Sequence, residues 1–517
     1  MSDSTPVGAA PAALRRDAVF SDPVLRRLSV VVILGAIMSV LDTTIVNVAL
    51  DTLARDFHTS VSTIQWVTTG YLLSLAIVIP MSGWTVERFG AKRMWMSSLA
   101  LFTLGSALCG LAWSSESLII FRILQGFGGG MLMPVGQTIM ARAAGPQRMG
   151  RVMSILGLPT LIAPVLGPVL GGLIVDNTTW RWIFYVNVPI GILAMALSAV
   201  FLDSGERQDA GRFDFLGVAL LSPGLAALVY GLSEAGGGSG FASTTVIVCM
   251  VAGAVLIAAF VLHARRVDRP LLDMHLFRDR GFAAANGAVF VFGAGLYAGM
   301  ILLPLYYQLA RGDSALAAGL LMAPQGIGAM VTMPLGGKLT DRIGAGTVVP
   351  IGMAVMLIGT IAYTHVGPST SYTWLALSLF LRGLGMGWVM MPLMAAAYAN
   401  LTRTLVPRAT TTINIVMRVG GSFGTALVAV VLQRQIAGRL PHLSGILGSA
   451  PTSSSAAKLT APMARQLADS FGYSFWVVLA MTVFGVAATL VLPKGRPAPL
   501  ATPGPGEPAP VPVPVAD

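Results

Sequence analysis

Two residues with the means to do chemistry stand in strongly apolar surroundings. Asp42 lies in the run Leu41-Asp42-Thr43-Thr44-Ile45-Val46-Asn47-Val48-Ala49-Leu50, and Arg122 in Phe121-Arg122-Ile123-Leu124-Gln125-Gly126. Of the 22 acidic residues, Asp42 alone lies well inside an apolar run; Glu234 falls at the end of another. Burial favours the neutral acid, whereas a nearby guanidinium favours the carboxylate. A carboxyl whose contact with Arg122 or with water changes can therefore take up and release a proton. The expectation is that Asp42 carries a proton and Arg122 biases its ionisation. The alternative is a fixed pair that only joins two helices.

Other chemistry lacks its residues. The five histidines are scattered, without the spacing of a zinc site. Cys109 and Cys249 both sit in apolar runs and read as buried thiols. No G-x-x-x-x-G-K-[ST] phosphate loop occurs, because the glycine runs at 128–130 and 236–238 lack the Lys and Ser/Thr that follow. No metal and no cofactor is expected; a proton gradient is left as the source of energy.

The elements that position Asp42 and Arg122 follow from composition. Hydrophobic residues make up 55% of the 517 and charged residues 11%, against about 25% in a soluble protein. Mean hydropathy is +0.76. So apolar a chain needs lipid as its solvent, and its spans must be helices that satisfy their own backbone. Fourteen candidate spans follow, at 29–50, 64–84, 94–113, 117–141, 152–175, 182–202, 215–234, 244–263, 282–307, 315–337, 348–364, 373–398, 411–433 and 472–492. Starting from the inside, most of the 33 Lys and Arg fall on inner segments, among them Arg26, Arg27, Arg88, Arg93, Arg265, Arg266 and Arg342. That asymmetry puts both termini in the cytoplasm and the chain in the cytoplasmic membrane. It also accounts for the net charge of +11 without nucleic acid.

The chain repeats itself. Gly83-x-x-x-Glu87-Arg88-x-Gly90 after the second span matches Gly337-x-x-x-Asp341-Arg342-x-Gly344 after the tenth. Arg122 with its following glycines matches Arg382 with Gly383, Gly385 and Gly387. The expected division is a cytoplasmic tail at 1–28, a six-helix bundle at 29–202, an inserted helix pair at 203–281, a second six-helix bundle at 282–492 and a proline-rich tail at 493–517. Two related bundles suit a carrier with one site between halves that rock.

These residues resemble the major facilitator superfamily, and within it the fourteen-span drug:proton antiporters of the EmrB/QacA type. The loop Gly83–Arg93 resembles motif A, Arg122 to Gly126 resembles motif B, and Ala163-Pro164-Val165-Leu166-Gly167-Pro168-Val169-Leu170-Gly171-Gly172 resembles motif C, the antiporter motif. The run Trp180-Arg181-Trp182 to Asn187-Val188-Pro189-Ile190-Gly191 follows as in that branch. Two departures are Glu87, where the family usually has Asp, and Ala163, where it often has Gly.

The resemblance implies an all-α integral membrane fold of two pseudo-symmetric six-helix bundles plus two inserted helices. It implies proton-coupled export of small amphipathic compounds, drugs or antibiotics among them. Gly83, Glu87, Arg88, Gly90, Arg93, Gly337, Asp341 and Arg342 would form a charge latch. Pro164, Gly167, Pro168, Gly171 and Gly172 would form a hinge and a tight seal against the opposite half that prevents leak; ordinary close packing of helices is the alternative. Candidate cavity residues, read from polar and aromatic groups inside spans, are Asn47, Gln65, Trp66, Tyr71, Tyr306, Tyr307, Gln308, Gln325, Trp388, Asn414 and Arg418. Arg418 could bind an anionic group of a ligand or backbone carbonyls. Partners would be the substrate, protons, lipid and, in principle, an outer adaptor protein. Export of a single metabolite or lipid precursor is the alternative within this class. A channel or membrane enzyme is the alternative outside it.

Overall fold

A computed structural model describes residues 23–144, 177–203, 210–236, 240–268, 270–399, 405–440 and 460–492, together with 152, 156–157, 163, 166–167, 169–175 and 401. Among these, every regular element is helical. The thirteen long helices are α1 (Pro23–Asp56), α2 (Trp66–Phe89), α3 (Ala91–Gly110), α4 (Ser115–Ala144), α5 (Trp182–Phe201), α6 (Phe215–Glu234), α7 (Thr244–Ala264), α8 (Arg280–Ala310), α9 (Ala315–Ile343), α10 (Ala345–His365), α11 (Tyr372–Tyr398), α12 (Val406–Arg439) and α13 (Ala461–Thr489). All but α3 are long and apolar enough to cross a membrane on that measure alone, and α3 has 20 residues. They correspond to thirteen of the fourteen expected spans. The span expected at 152–175 falls largely outside the described residues, as do the tails before Pro23 and after Leu492.

Two helices outrun their expected spans. α1 and α12 each have 34 residues, about 51 Å at 1.5 Å per residue against a hydrocarbon core of about 30 Å. The surplus is polar at its ends. α1 begins before residue 29 because Leu25 and Leu28 are buried against the core.

Helix packing repeats between the halves. α4 packs on α2 and α3, as α11 packs on α9 and α10; α1 packs on α4 and α5, as α8 packs on α11 and α13. Glycines set the close approaches. A methyl group on Gly126 would lie 2.8 Å from the Tyr71 carbonyl oxygen, and one on Gly383 would lie 2.1 Å from that of Gln325. Gly128 sits on Phe102 as Gly385 sits on Met356. Each half also turns on a glycine between its second and third helices, Gly90 at φ 87° and Gly344 at φ 85°. L side chains rarely adopt that region, which accounts for the last glycine of each repeated motif. The inserted pair, α6 and α7, packs on itself, and α6 also touches α2 and α12, one helix from each half.

Gly383→Ala forces a methyl group onto backbone, so a loss of about 1–3 kcal/mol is expected. It reads as a lowered thermal unfolding midpoint in detergent. Gly287, with nothing within 4 Å of an added methyl group, should tolerate Ala at about the cost of a surface change.

Candidate functional site

Asp42 is wholly buried, and three side chains donate to its carboxylate. Arg122 Nη1 reaches Oδ2 at 2.5 Å, Gln125 Nε2 reaches Oδ1 at 3.0 Å and Asn187 Nδ2 reaches Oδ1 at 3.1 Å. α1 supplies the acid, α4 supplies Arg122 and Gln125 one turn apart, and α5 supplies Asn187. Gln125 Oε1 also accepts from Arg122 Nη1 at 2.9 Å, so the amide is held at both ends. The guanidinium donates from Nε to the Val67 carbonyl at 3.2 Å and lies 4.0 Å from the Tyr71 ring centroid, a cation–π distance. Asn187 Nδ2 also donates to Ser106 Oγ, whose own hydroxyl donates to the Phe184 carbonyl. Asn187 Oδ1 is buried with no hydrogen-bond partner among the described residues. The donor set fits an ionised carboxylate, and a neutral acid would need one acceptor for its proton.

The second half has an arginine and no acid, but the match of Arg382 to Arg122 read from the sequence is off by one turn: Gly359 lies on Arg382 as Gly105 lies on Gln125, so Arg382 stands where the first half has Gln125. Arg382 Nη1 donates to Gln325 Oε1 at 2.7 Å and Nη2 to the Gly295 carbonyl at 3.3 Å. Gly299 stands against this guanidinium, where an added methyl group would lie 2.5 Å from Nη2. The place that Asp42 takes beside Gln125 is taken here by Gly299 of α8 beside Arg382.

The halves meet at the end that bears Glu87. Arg408 on α12 donates from Nε and Nη2 to the two Glu87 oxygens, each at 3.0 Å. Ser82 and Thr411 share a hydrogen bond at 2.8 Å, and Asn414 Nδ2 donates to Gln137 Oε1 at 2.6 Å. Gly83 lets α2 come this close, since a methyl group there would lie 3.4 Å from Arg408 Cα. Glu87 also lies within electrostatic reach of Arg142 on its own side.

At the other end of the first half, Trp180 Nε1 donates to Asp56 Oδ2 at 2.7 Å and Arg181 stacks on the Trp180 ring at 4.3 Å. These contacts anchor the chain just before α5 and so hold Asn187 in register with Asp42.

The sequence profile of the Major Facilitator Superfamily matches residues 32–425. The chain belongs to this superfamily. It is a multi-pass membrane protein of a transporter family. Among its relatives, it is 39% identical over 488 residues to a "Multidrug resistance protein B homolog" of Mycobacterium tuberculosis (strain ATCC 25618 / H37Rv), covering 91% of this chain and 90% of that protein. It is 33% identical over 406 residues to "Multidrug export protein EmrB" of Haemophilus influenzae, covering 77% of this chain and 79% of that protein. Among solved structures, the proton:xylose symporter XylE bound to 6-bromo-6-deoxy-D-glucose shares the fold. Its TM-score is 0.61 at 14% identity, over 91% of this chain and 96% of that one.

The residues singled out from the sequence scatter over this superfamily fold. Asp42, Arg122 and Tyr71 come together. Asn414 and Arg418 lie on the face of α12 turned to the first half. Gln325 serves Arg382, and Trp388, on the same helix as Arg382, keeps a buried indole N–H with no partner among the described residues. Tyr306 and Tyr307 stand apart, packed in an apolar core, where Tyr306 donates to the Gly367 carbonyl and Tyr307 Oη lies 3.1 Å from Tyr363 Oη. Gln308, beside them on α8, is partly buried. Gln65 and Trp66 are exposed, with Trp66 stacked on Tyr230 at 5.9 Å. Arg88, Arg93 and Arg342 are exposed, and Gly337 is buried. Gly167 sits against Thr44 of α1, Gly171 is buried and an added methyl group on Gly172 would meet nothing within 4 Å. Pro164, Pro168 and the side chains of Asn47 and Asp341 lie outside the described residues.

Three contributors were not singled out from the sequence. Asn187 and Gln125 stood in quoted motifs as polar residues in apolar runs, a signal that could have marked them. Arg408 sat among the inner-segment basic residues with nothing to separate it from them.

Arg408→Ala would take from the buried Glu87 carboxylate its two-bond partner and leave it the charge of Arg142 within electrostatic reach, so the expected loss is below that of a fully broken buried pair, about 3–5 kcal/mol. The closed contact at this end should loosen. A cysteine placed at Thr411 should then react with a polar maleimide at least about ten-fold faster than in the otherwise unchanged chain.

Proposed function

We propose that the chain is a proton-driven antiporter that exports small amphipathic organic compounds, drugs among them, across the cytoplasmic membrane by alternating access. The names of the two relatives support drug efflux. The single observation that carries the proton is Asp42, fully buried and held by three donors with no acceptor among them. A permanent carboxylate could be built more cheaply at the surface; one inside the bundle is worth its desolvation where its charge must change.

The Lys and Arg asymmetry supports the Glu87 end as cytoplasmic. On that reading the described conformer is shut toward the cytoplasm by Glu87–Arg408, Ser82–Thr411 and Asn414–Gln137. A proton arriving from outside neutralises Asp42 and removes its attraction for Arg122. The new O–H needs an acceptor. Asn187 Oδ1 is the buried, unpartnered one, and turning the amide brings it round. The Ser106 hydroxyl cannot reward that turn, because it is spent on the Phe184 carbonyl. The orientation of Asn187 therefore follows the charge of Asp42. α5 packs on α1 and α3, so the turn is felt where these helices meet.

As the halves part at the cytoplasmic end, Glu87 leaves Arg408 and keeps Arg142 in reach. The membrane potential contributes about 2.3 kcal/mol per inward proton per 100 mV. Gly167 of motif C supports a tight seam against α1, since a methyl group there would run into Thr44; Gly172 does not contribute to it.

Asp42→Asn should abolish pH-gradient-driven dye efflux from proteoliposomes while the protein elutes as a folded species; full coupling in that variant ends the carrier reading. Asn187→Leu removes a donor to the carboxylate and the acceptor for the acid, so efflux should fall at least about ten-fold and its pH optimum should move. Gly167→Leu should lose export and Gly172→Ala should keep it.

A further inference from the structure

The face of α12 turned to the first half carries Arg408, Thr411, Asn414 and Arg418, spaced three, three and four residues apart, as one face of a helix requires. The first three each bond across to the first half, at Glu87, Ser82 and Gln137. Among the described residues the fourth does not. Arg418 is partly buried about 6 Å beyond the last rung, and among the described residues it has no hydrogen-bond or ion-pair partner. Its charge reaches Tyr71, which carries Arg122 on its ring. Arg418 thus lies within electrostatic reach of the ring that carries Arg122 in the Asp42 cluster.

The sequence leaves this guanidinium no mate. The one acidic residue well inside a span is Asp42, already bonded to Arg122. Arg382 adds a second buried cation answered by neutral acceptors. With Asp42 ionised, the interior keeps two uncompensated positive charges; with Asp42 protonated, it keeps three. A cationic ligand would be repelled in either state. An anionic group would supply the missing counter-charge and a charge-assisted hydrogen bond. Apolar surface lies alongside, with Tyr297 packed on Gly421 one turn further along α12.

We propose that Arg418 anchors an anionic group of the substrate, so that the transported class is amphipathic organic anions, carboxylates in particular. This rests on the exporter reading and gives it a charge preference. It has an electrical consequence: a proton moving in and an anion moving out both run with the membrane potential, so each cycle moves two charges. Competition for one shared charge is then not the coupling device, and the protonation of Asp42 must act through helix packing.

The test is binding to the purified full-length protein in detergent without a proton gradient, using two probes with one fluorophore and opposite charge, dansylglycine and dansylcholine. The unchanged protein should bind dansylglycine saturably and at least about ten-fold more tightly than dansylcholine. Arg418→Lys should keep dansylglycine within about three-fold, Arg418→Gln should weaken it at least about ten-fold, and Arg418→Glu should reverse the preference. The proposal is overturned if the unchanged protein shows no saturable dansylglycine binding, if it binds dansylcholine as well or better, or if Arg418→Gln leaves the anion affinity intact. The Lys variant, eluting as the unchanged protein does, separates lost charge from lost fold. Asp42→Asn should keep dansylglycine binding while losing driven efflux, so a failure of proton coupling and a failure of the anion site give different results.

Discussion

A carboxylate and a guanidinium enclosed in an apolar helical bundle set the terms for everything around them. Each ion costs several kcal/mol to remove from water, and the pair repays that cost only with good geometry and further hydrogen bonds. The first half supplies both. Gln125 braces the acid and the arginine together, Asn187 fills the remaining site on Oδ1, Val67 takes the guanidinium Nε, and the Tyr71 ring closes one face. To bring these donors and acceptors to 2.5–3.2 Å the helices must lie close. Gly105 rests on Gln125 and Gly126 on Tyr71, where any side chain would strike backbone. These glycines of α3 and α4 are thus part of the electrostatics, since they set the distance at which the charges meet.

The two halves share this packing and differ in what it encloses. Gly359 lies on Arg382 as Gly105 lies on Gln125, and Gly383 lies on Gln325 as Gly126 lies on Tyr71. Yet the second half has Gly299 where the first has Asp42, and its arginine is answered by an amide and a carbonyl. Neither acceptor titrates in any accessible pH range. The duplicated scaffold therefore holds a carboxyl at this place in one half and none in the other. On the proposed reading that asymmetry is what lets a proton bias one half against the other rather than both alike.

Much of this was legible in the sequence, and the reasons differ by residue. Span positions followed from hydropathy, which depends on local composition. The repeat followed from glycines and charges at fixed spacing, and Gly90 and Gly344 fall at turns that only a positive φ can make. Asp42 and Arg122 stood out because charge is rare at that depth. The polar groups that complete the cluster were harder to assign, since Gln125 and Asn187 acquire meaning only when α1, α4 and α5 converge. Arg408 was hidden for the opposite reason: it lies among inner-segment cations that topology alone explains, and its partner Glu87 is more than three hundred residues away along the chain. Tyr306 and Tyr307 show the converse. Aromatic and polar inside a span, they look like cavity residues, but their hydroxyls are met by Gly367 and Tyr363 within a packed core. Pattern reveals polarity, and only tertiary packing reveals which polar groups face each other.

The contacts between halves are graded along α12, and the grading carries information about movement. The bond nearest the helix start is a bidentate ion pair, the next a hydroxyl pair, the next an amide pair, and beyond them Arg418 has no bond among the described residues. Separation at Arg408 must break a charged contact that is largely buried. Glu87, one methylene longer than the aspartate usual at this position, spans the gap to Arg408 with both oxygens engaged. The extra reach lets the ion pair form while Gly83 keeps the two backbones in contact. On the proposed reading the same helix therefore offers a site at one level and a lock at another, about 15 Å apart along its axis. A ligand that drew Arg418 toward the first half would then tilt α12 about its locked end, and so place the load on the Glu87–Arg408 contact that this reading requires to yield.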